Sequence, residues 1–236
     1  MQIKLSPRLE EIAKLIPQAS RVADIGTDHG YMAIYLLQEG IVDRLIVSDI
    51  NKKPLKIAKN NVSHYGLSDR VEFRLGNGLD ILNPNEVDLV IISGMGGILI
   101  SDILEAGANI IKDIGALVLQ PMTKQKHLRK YLISRNFTIE KDLLVKESNR
   151  IYEIILTQVN KGKKIKVRDN LMFEIGFHLK SNPKKISREF INRKIRIERQ
   201  IIQNIEKHSI SKESPRYKNC LKKIKKLEGV LEWLEG

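Results

Sequence analysis

The sequence predicts an α/β fold: a mostly parallel sheet followed by a separate helical segment. Three observations predict it. From Arg21 to Gln158, short β-branched runs alternate with longer amphipathic stretches, the pattern of consecutive βαβ units. The last two strand-like runs are joined only by Glu147-Ser148-Asn149, a connection short enough for a hairpin and therefore for antiparallel pairing. Beyond Asn160 the strand pattern gives way to helical periodicity.

Taken in order, strands are expected at Arg21–Ile25, Arg44–Asp49, Val71–Leu75, Val87–Ser93 and Ala116–Gln120. Helices are expected at Pro54–Tyr65 and Ile98–Ile111, with another near Lys124–Arg135. Pro54 belongs in a first helical turn, where its missing N–H would have had no partner. The runs Phe137–Lys146 and Arg150–Gln158 then form the closing hairpin. The basic tract Lys161-Gly162-Lys163-Lys164 reads as a linker to two helices. In the second of these, Cys220, Ile224, Leu227, Leu231 and Leu234 repeat at spacings of four and three, a narrow apolar seam. The first has a broader apolar face of Phe190, Ile191, Ile195, Ile197, Ile201, Ile202 and Ile205. With Ser209–Pro215 as the turn, the pair is expected to form an antiparallel helical hairpin resembling a coiled coil.

The 236 residues suffice for one main domain with an appendage. The net charge of +13 is unevenly placed. Residues 1–160 hold 20 Lys and Arg against 19 Asp and Glu, net +1, whereas residues 161–236 hold 21 against 9, net +12. A basic appendage suits a polyanion, since each neutralised phosphate releases counterions; the alternative is a solvated, Lys-rich helical surface. The single cysteine, Cys220, allows no internal disulfide and no cysteine metal cluster, which fits a reducing compartment, so a cytoplasmic protein without metal is expected. No apolar run is long enough to cross a bilayer, and Met1–Pro7 has no signal-peptide core, so no membrane association is expected.

The most informative stretch is Asp24-Ile25-Gly26-Thr27-Asp28-His29-Gly30-Tyr31, a glycine-containing turn between the first strand and a helix. Such a turn brings a ligand close to the backbone amides. Asp24 and Asp28 would repel a pyrophosphate, and the glycines do not follow the G-x-G-x-x-G spacing. S-adenosylmethionine carries a sulfonium and an ammonium instead, and carboxylates favour it. Asp28 and His29 could alternatively serve as a helix cap. Asp49 ends the second strand, where a carboxylate accepts from both ribose hydroxyls, and Ile50 follows, where it could cover an adenine face. Gly76-Asn77-Gly78 follows the third strand and offers an amide to the adenine edge, or is a plain turn. Ser93-Gly94-Met95-Gly96-Gly97 ends the fourth strand, placing small residues where donor and acceptor would meet. Ligands of open α/β sheets bind at such strand ends. Five parallel strands closed by an antiparallel hairpin make the Rossmann-like sheet of class I methyltransferases; dinucleotide dehydrogenases usually finish on a parallel sixth strand.

On these residues, with Leu119-Gln120-Pro121 and the opening Leu5-Ser6-Pro7-Arg8-Leu9, the chain resembles the bacterial tRNA adenine-22 N1-methyltransferases. It departs from that family at Met32-Ala33, where Leu-Pro is usual, and at Met122, where Asn is usual. The resemblance implies methyl transfer from S-adenosylmethionine to N1 of an adenine in tRNA. It implies cofactor contacts from Asp24, Gly26, Asp49, Ile50, Asn77, Ser93 and Gly94, with Asp28, His29 and Tyr31 lining the reaction site and a place near the pocket for Arg8; the strand-end reading adds Gly78 to the cofactor residues and Met95 to the reaction site. Residues 1–160 would then bind the cofactor and residues 161–236 the RNA, in a monomer or weak dimer. Two rivals remain: a small-metabolite methyltransferase whose basic helices mediate dimerisation, and an RNA-binding module whose methyltransferase fold has lost catalysis.

Overall fold

The structure, a computed structural model, describes residues 2–18, 20–159, 167, 169–208 and 214–236. The chain divides into two compact units, Met1–Phe177 and His178–Gly236. The first unit runs α1 (Pro7–Ala13), β1 (Val22–Ile25), α2 (Tyr31–Gln38), β2 (Leu45–Asp49), α3 (Lys52–His64), β3 (Val71–Leu75), β4 (Leu89–Gly96), α4 (Gly97–Ala106), α5 (Ala108–Ile111), β5 (Ala116–Thr123), α6 (Gln125–Ser134), β6 (Phe137–Glu147), β7 (Arg150–Val159) and α7 (Met172–Ile175). The strands form one seven-stranded sheet in the order β3-β2-β1-β4-β5-β7-β6. The first five are parallel, with Val22 level with both Leu45 and Leu89. β7 pairs antiparallel with β5 on one side and β6 on the other. This is the Rossmann-like methyltransferase sheet expected from the sequence.

Alternation along the central strands explains the sheet's two covered faces. Val22, Leu45, Val47, Leu89 and Ile91 face one buried cluster, which includes residues of α1, α2 and α3. Ala23, Ile25, Ile46, Val90 and Ile92 face the other, which includes residues of α4, α5 and α6. All four residues of β1 are buried, as continuous apolar strands of parallel sheets require.

Each expected strand is present, with ends shifted by a few residues. The expected helix over 98–111 is broken at Gly107, which packs against Leu79 so closely that an added Cβ would lie 2.5 Å from Leu79 Cδ1. α3 begins two residues before Pro54, which still lies in its first turn. The sequence pattern did not reveal α1 or α7. The expected linker Lys161–Lys164 and most of the turn 209–215 lie outside the described residues.

α7 is held by a buried ionic cluster. Arg129 on α6 is fully buried and donates through Nε to Asp142 Oδ2 at 2.9 Å, through Nη2 to Glu153 Oε2 at 2.7 Å and through Nη1 to the Phe173 carbonyl at 3.3 Å. Asp142 Oδ2 also accepts from Phe177 N at 3.0 Å. Burial alone would lower the Arg129 pKa, but the Asp142 and Glu153 carboxylates outweigh it and raise it above the ordinary arginine value.

The second unit contains α8 (Lys184–Lys207) and α9 (Pro215–Glu235), packed together. Pro215 opens α9, and Ser214 Oγ caps it by accepting from Tyr217 N at 3.3 Å. In the α9 seam Cys220, Ile224, Leu227 and Leu234 are buried, and Leu231 is half-buried. On α8 one expectation is corrected: Ile197 is 48% exposed. It follows buried Ile195 by two residues, about 200° around the helix, and so leaves the buried stripe. Among the described residues no helix is long and apolar enough to cross a membrane, and no His, Cys, Asp and Glu cluster could hold a metal.

Candidate active site

The strand order reverses between β1 and β4, which opens a crevice at the carboxyl ends of the strands. A cavity of about 710 Å³ lies there, within the usual range for small-molecule sites. The structure brings all twelve sequence-derived candidates to its lining: Asp24, Gly26, Asp28, His29, Tyr31, Asp49, Ile50, Asn77, Gly78, Ser93, Gly94 and Met95. Arg8, Thr27, Ser48, Leu99 and Met122 line it as well.

The loop after β1 is shaped by its own backbone. Gly26 adopts φ +78°, and its N–H and that of Thr27 donate to the Ser48 carbonyl at 2.8 and 2.9 Å, fastening the loop to β2. Thr27 Oγ1 accepts from Gly30 N at 3.2 Å and donates to Asp24. Gly30 caps α2 at φ +71°, without a side-chain cap. Asp28 is therefore not the helix cap that its residue type allowed. Its carboxylate is 80% exposed and lies 3.1 Å from His29 Nε2. The His29 carbonyl accepts from Asn61 Nδ2 at 2.9 Å, and its ring stacks on Tyr31, with centroids 5.2 Å apart. Tyr31 remains 44% exposed.

Asp24 is buried at the end of β1, and desolvation pushes its carboxyl up to about 6, with the Thr27 hydroxyl opposing the shift. Asp49 Oδ1 accepts from Asn51 N at 2.7 Å, and Ile50 beside it is 61% exposed. Asn77 sits in a turn whose carbonyl accepts from Asp80 N. At the end of β4 the pairing with β5 is irregular between Ser93 and Met95, and Gly94 adopts φ +80° with open space where a Cβ would be.

The residue whose part sequence reasoning missed is Gln120. It is fully buried, and its Oε1 accepts from both Arg8 Nη1 and Gly94 N. It stands in the quoted Leu-Gln-Pro motif, but no local pattern announces a partner 112 residues away.

Residues 5–155 match a family model described as a methyltransferase domain. The chain belongs to that methyltransferase family. It is 33% identical over 157 residues to a tRNA (adenine(22)-N(1))-methyltransferase of Bacillus subtilis, a match spanning 66% of each chain. Among solved structures it is similar to the B. subtilis m1A22 tRNA methyltransferase TrmK, with a TM-score of 0.79, 27% identity, and coverage of 99% of this chain and 98% of that one. It is also similar to M. capricolum TrmK in complex with S-adenosyl-homocysteine, its natural cofactor product, with a TM-score of 0.80, 30% identity, and coverage of 97% and 98%.

The cavity suits the cofactor of a methyltransferase. Three carboxylates, Asp24, Asp28 and Asp49, line it against one Arg and no Lys, a balance that favours a sulfonium and an ammonium over a phosphate. Two buried polar atoms on lining residues, Arg8 Nε and Ser48 Oγ, have no hydrogen-bond partner among the described residues.

Proposed function

We propose that the protein transfers a methyl group from S-adenosylmethionine to N1 of adenine 22 in tRNA. The observation that carries this reading is the likeness of nearly the whole chain to tRNA methyltransferases of that specificity, one of them holding the cofactor product. The cavity chemistry independently supports the cofactor part of it.

S-adenosylmethionine, when bound, supplies an electrophilic methyl group on a sulfonium. In this reading Asp49 accepts from the ribose hydroxyls, Ile50 covers one adenine face and Asn77 pairs with the adenine edge. Gly78 lets the chain turn beside it. Asp24, Gly26, Ser93 and Gly94 hold the methionine end. Neutral adenine already has a lone pair on N1, so no proton has to be removed before attack, and no strong general base is required. The protein instead exposes the base, aligns it and excludes water, all gains of proximity and orientation. Turning the base outward costs a few kcal/mol. The half-exposed Tyr31 ring, backed by His29, offers a stacking face that repays part of this cost. Asp28 stabilises the positive charge that develops on the methylated base, and Met95 bounds the point of transfer.

Unit His178–Gly236 supplies the RNA grip. Lys185, Arg196, Arg216, Lys222 and Lys225 are exposed on its two helices, as counterion release by a phosphate backbone requires.

The test is incubation with labelled S-adenosylmethionine and unmodified bacterial tRNA, followed by mapping of the modified base. Label at N1 of adenine 22 is expected. Methylation of small molecules without RNA would point to the metabolite enzyme, and failure to bind the cofactor would point to a catalytically inactive RNA-binding module.

A further inference from the structure

The chain's one tryptophan stands where the packing of its own helix does not need it. The seam of α9 ends on Leu234, which is buried, whereas Trp233, one residue and about 100° away around the helix, is 49% exposed. The Lys180 ammonium lies 4.6 Å from the centre of the indole ring, a cation–π contact. The helix end beneath the ring is fastened: Glu235 accepts from Lys184 Nζ at 2.9 Å and pairs with Arg188, which ties the start of α8 to the end of α9. A side chain with two torsions on such an anchored end loses little freedom when a partner covers it. The same end of the hairpin exposes Lys180, Lys184, Lys185 and Arg188 against Glu232 and Glu235. Residues 178–236 as a whole hold 16 Lys and Arg against 7 Glu, net +9.

We propose that Trp233 is a stacking platform for one unpaired base of the RNA, with Lys180 beside the ring to meet that nucleotide's phosphate. The proposal rests on the reading of unit His178–Gly236 as the RNA grip. Charge chooses the occupant. A net of +9 on this unit attracts a polyanion and repels a second copy of the same surface, and a nucleic acid is a polyanion that also presents flat faces to an aromatic ring. Phosphate contacts hold any stretch of backbone, paired or not, whereas an aromatic platform engages only a base that has left the helical stack. Trp233 therefore adds to the electrostatic grip a contact that tells looped RNA from fully paired RNA.

Fluorescence reads the ring directly, because excitation of indole reports on Trp233 alone. Titrating the full chain with unmodified tRNA is expected to quench the emission by about half, and single-stranded oligoadenylate should quench it likewise. A blunt RNA duplex should bind without quenching. Trp233→Ala should weaken tRNA binding about tenfold with the salt dependence unchanged, because the lost contact carries no charge. Trp233→Tyr should keep most of the affinity, and both variants should melt like wild type, since residue 233 lies off the seam. Lys180→Ala should instead lower the salt slope by about one phosphate contact. Binding of tRNA with no change in emission, or equal quenching by the blunt duplex, would overturn the proposal and leave the electrostatic grip standing. Emission that shifts with protein concentration in the absence of RNA would place a second copy on the ring and overturn it too. A full chain that binds none of these RNAs would remove the RNA reading itself, and the proposal with it.

Discussion

Asp24 is a buried carboxylate that accepts from the Thr27 hydroxyl, and desolvation still pushes its carboxyl up to about 6. In an unfolded chain it would titrate near 3.9. Between about pH 4 and pH 6 the folded protein therefore holds the proton more tightly than the unfolded one, and stability from this group falls as pH rises. Above pH 6 the full cost of burying the charge remains, on the order of 3 kcal/mol. Asp24→Asn should thus melt higher than wild type at pH 7.5, with the difference vanishing near pH 4; equal melting curves at pH 7.5 would show that the charge is answered within the protein. A cationic ligand end beside Asp24 favours its ionised form. Cofactor binding near pH 5.5 should then release a proton, read from calorimetric enthalpies in buffers of different ionisation heat. Asp49 acts by hydrogen bonding rather than by burial. Asp49→Ala should weaken S-adenosylhomocysteine binding by about 1.5–3 kcal/mol per lost bond to the charged acceptor while leaving the melting temperature nearly unchanged. Unaltered affinity would remove Asp49 from the site.

At the scale of the element, the Arg129 cluster ties residues 173–177 to the sheet unit. Three strictly buried charges join α6, β6 and β7, and two backbone groups from 173 and 177 complete their bonding. Gly176 passes beside them at φ +88°, and an added Cβ there would come within 2.9 Å of Asp142 Cγ. Arg129→Met leaves two buried carboxylates without a cation, and truncating one side of such a cluster typically costs about 3–5 kcal/mol. The expected outcome is a lower denaturant midpoint with the m-value unchanged. A shift below about 1 kcal/mol would mean that water reaches the cluster and solvates the carboxylates.

For the whole molecule, the charge asymmetry and the two compact units make a division of labour testable. Because residues 169–177 pack in the first unit, a cut at 160 would strip the groups that complete the Arg129 cluster, whereas a cut after Phe177 spares them. Protein ending at Phe177 should bind S-adenosylhomocysteine like the full chain and lose tight tRNA binding together with most of its salt dependence. Filter binding across a salt series measures both. Equal affinity and slope in the two proteins would show that the helices are not the RNA grip.

The strands and the cavity lining were legible in the sequence because both are local. Alternating apolar residues mark each strand, and the glycines and carboxylates that line the cavity stand at strand ends, which a parallel sheet gathers along one edge whatever its loops do. The contacts that close over long distances were not legible. Placement of β7 between β5 and β6, burial of Arg129, exposure of Ile197 and the clasp of Arg8 by Gln120 depend on which surfaces meet after collapse. Asp28 shows the same limit at short range: its residue type suits a helix cap, yet Gly30 takes that place because Thr27 turns back to Asp24 and to the Gly30 amide. Local pattern set the elements and gathered the ligand-facing residues; packing between distant segments chose each side chain's partner, since a buried polar group must find one wherever the fold supplies it.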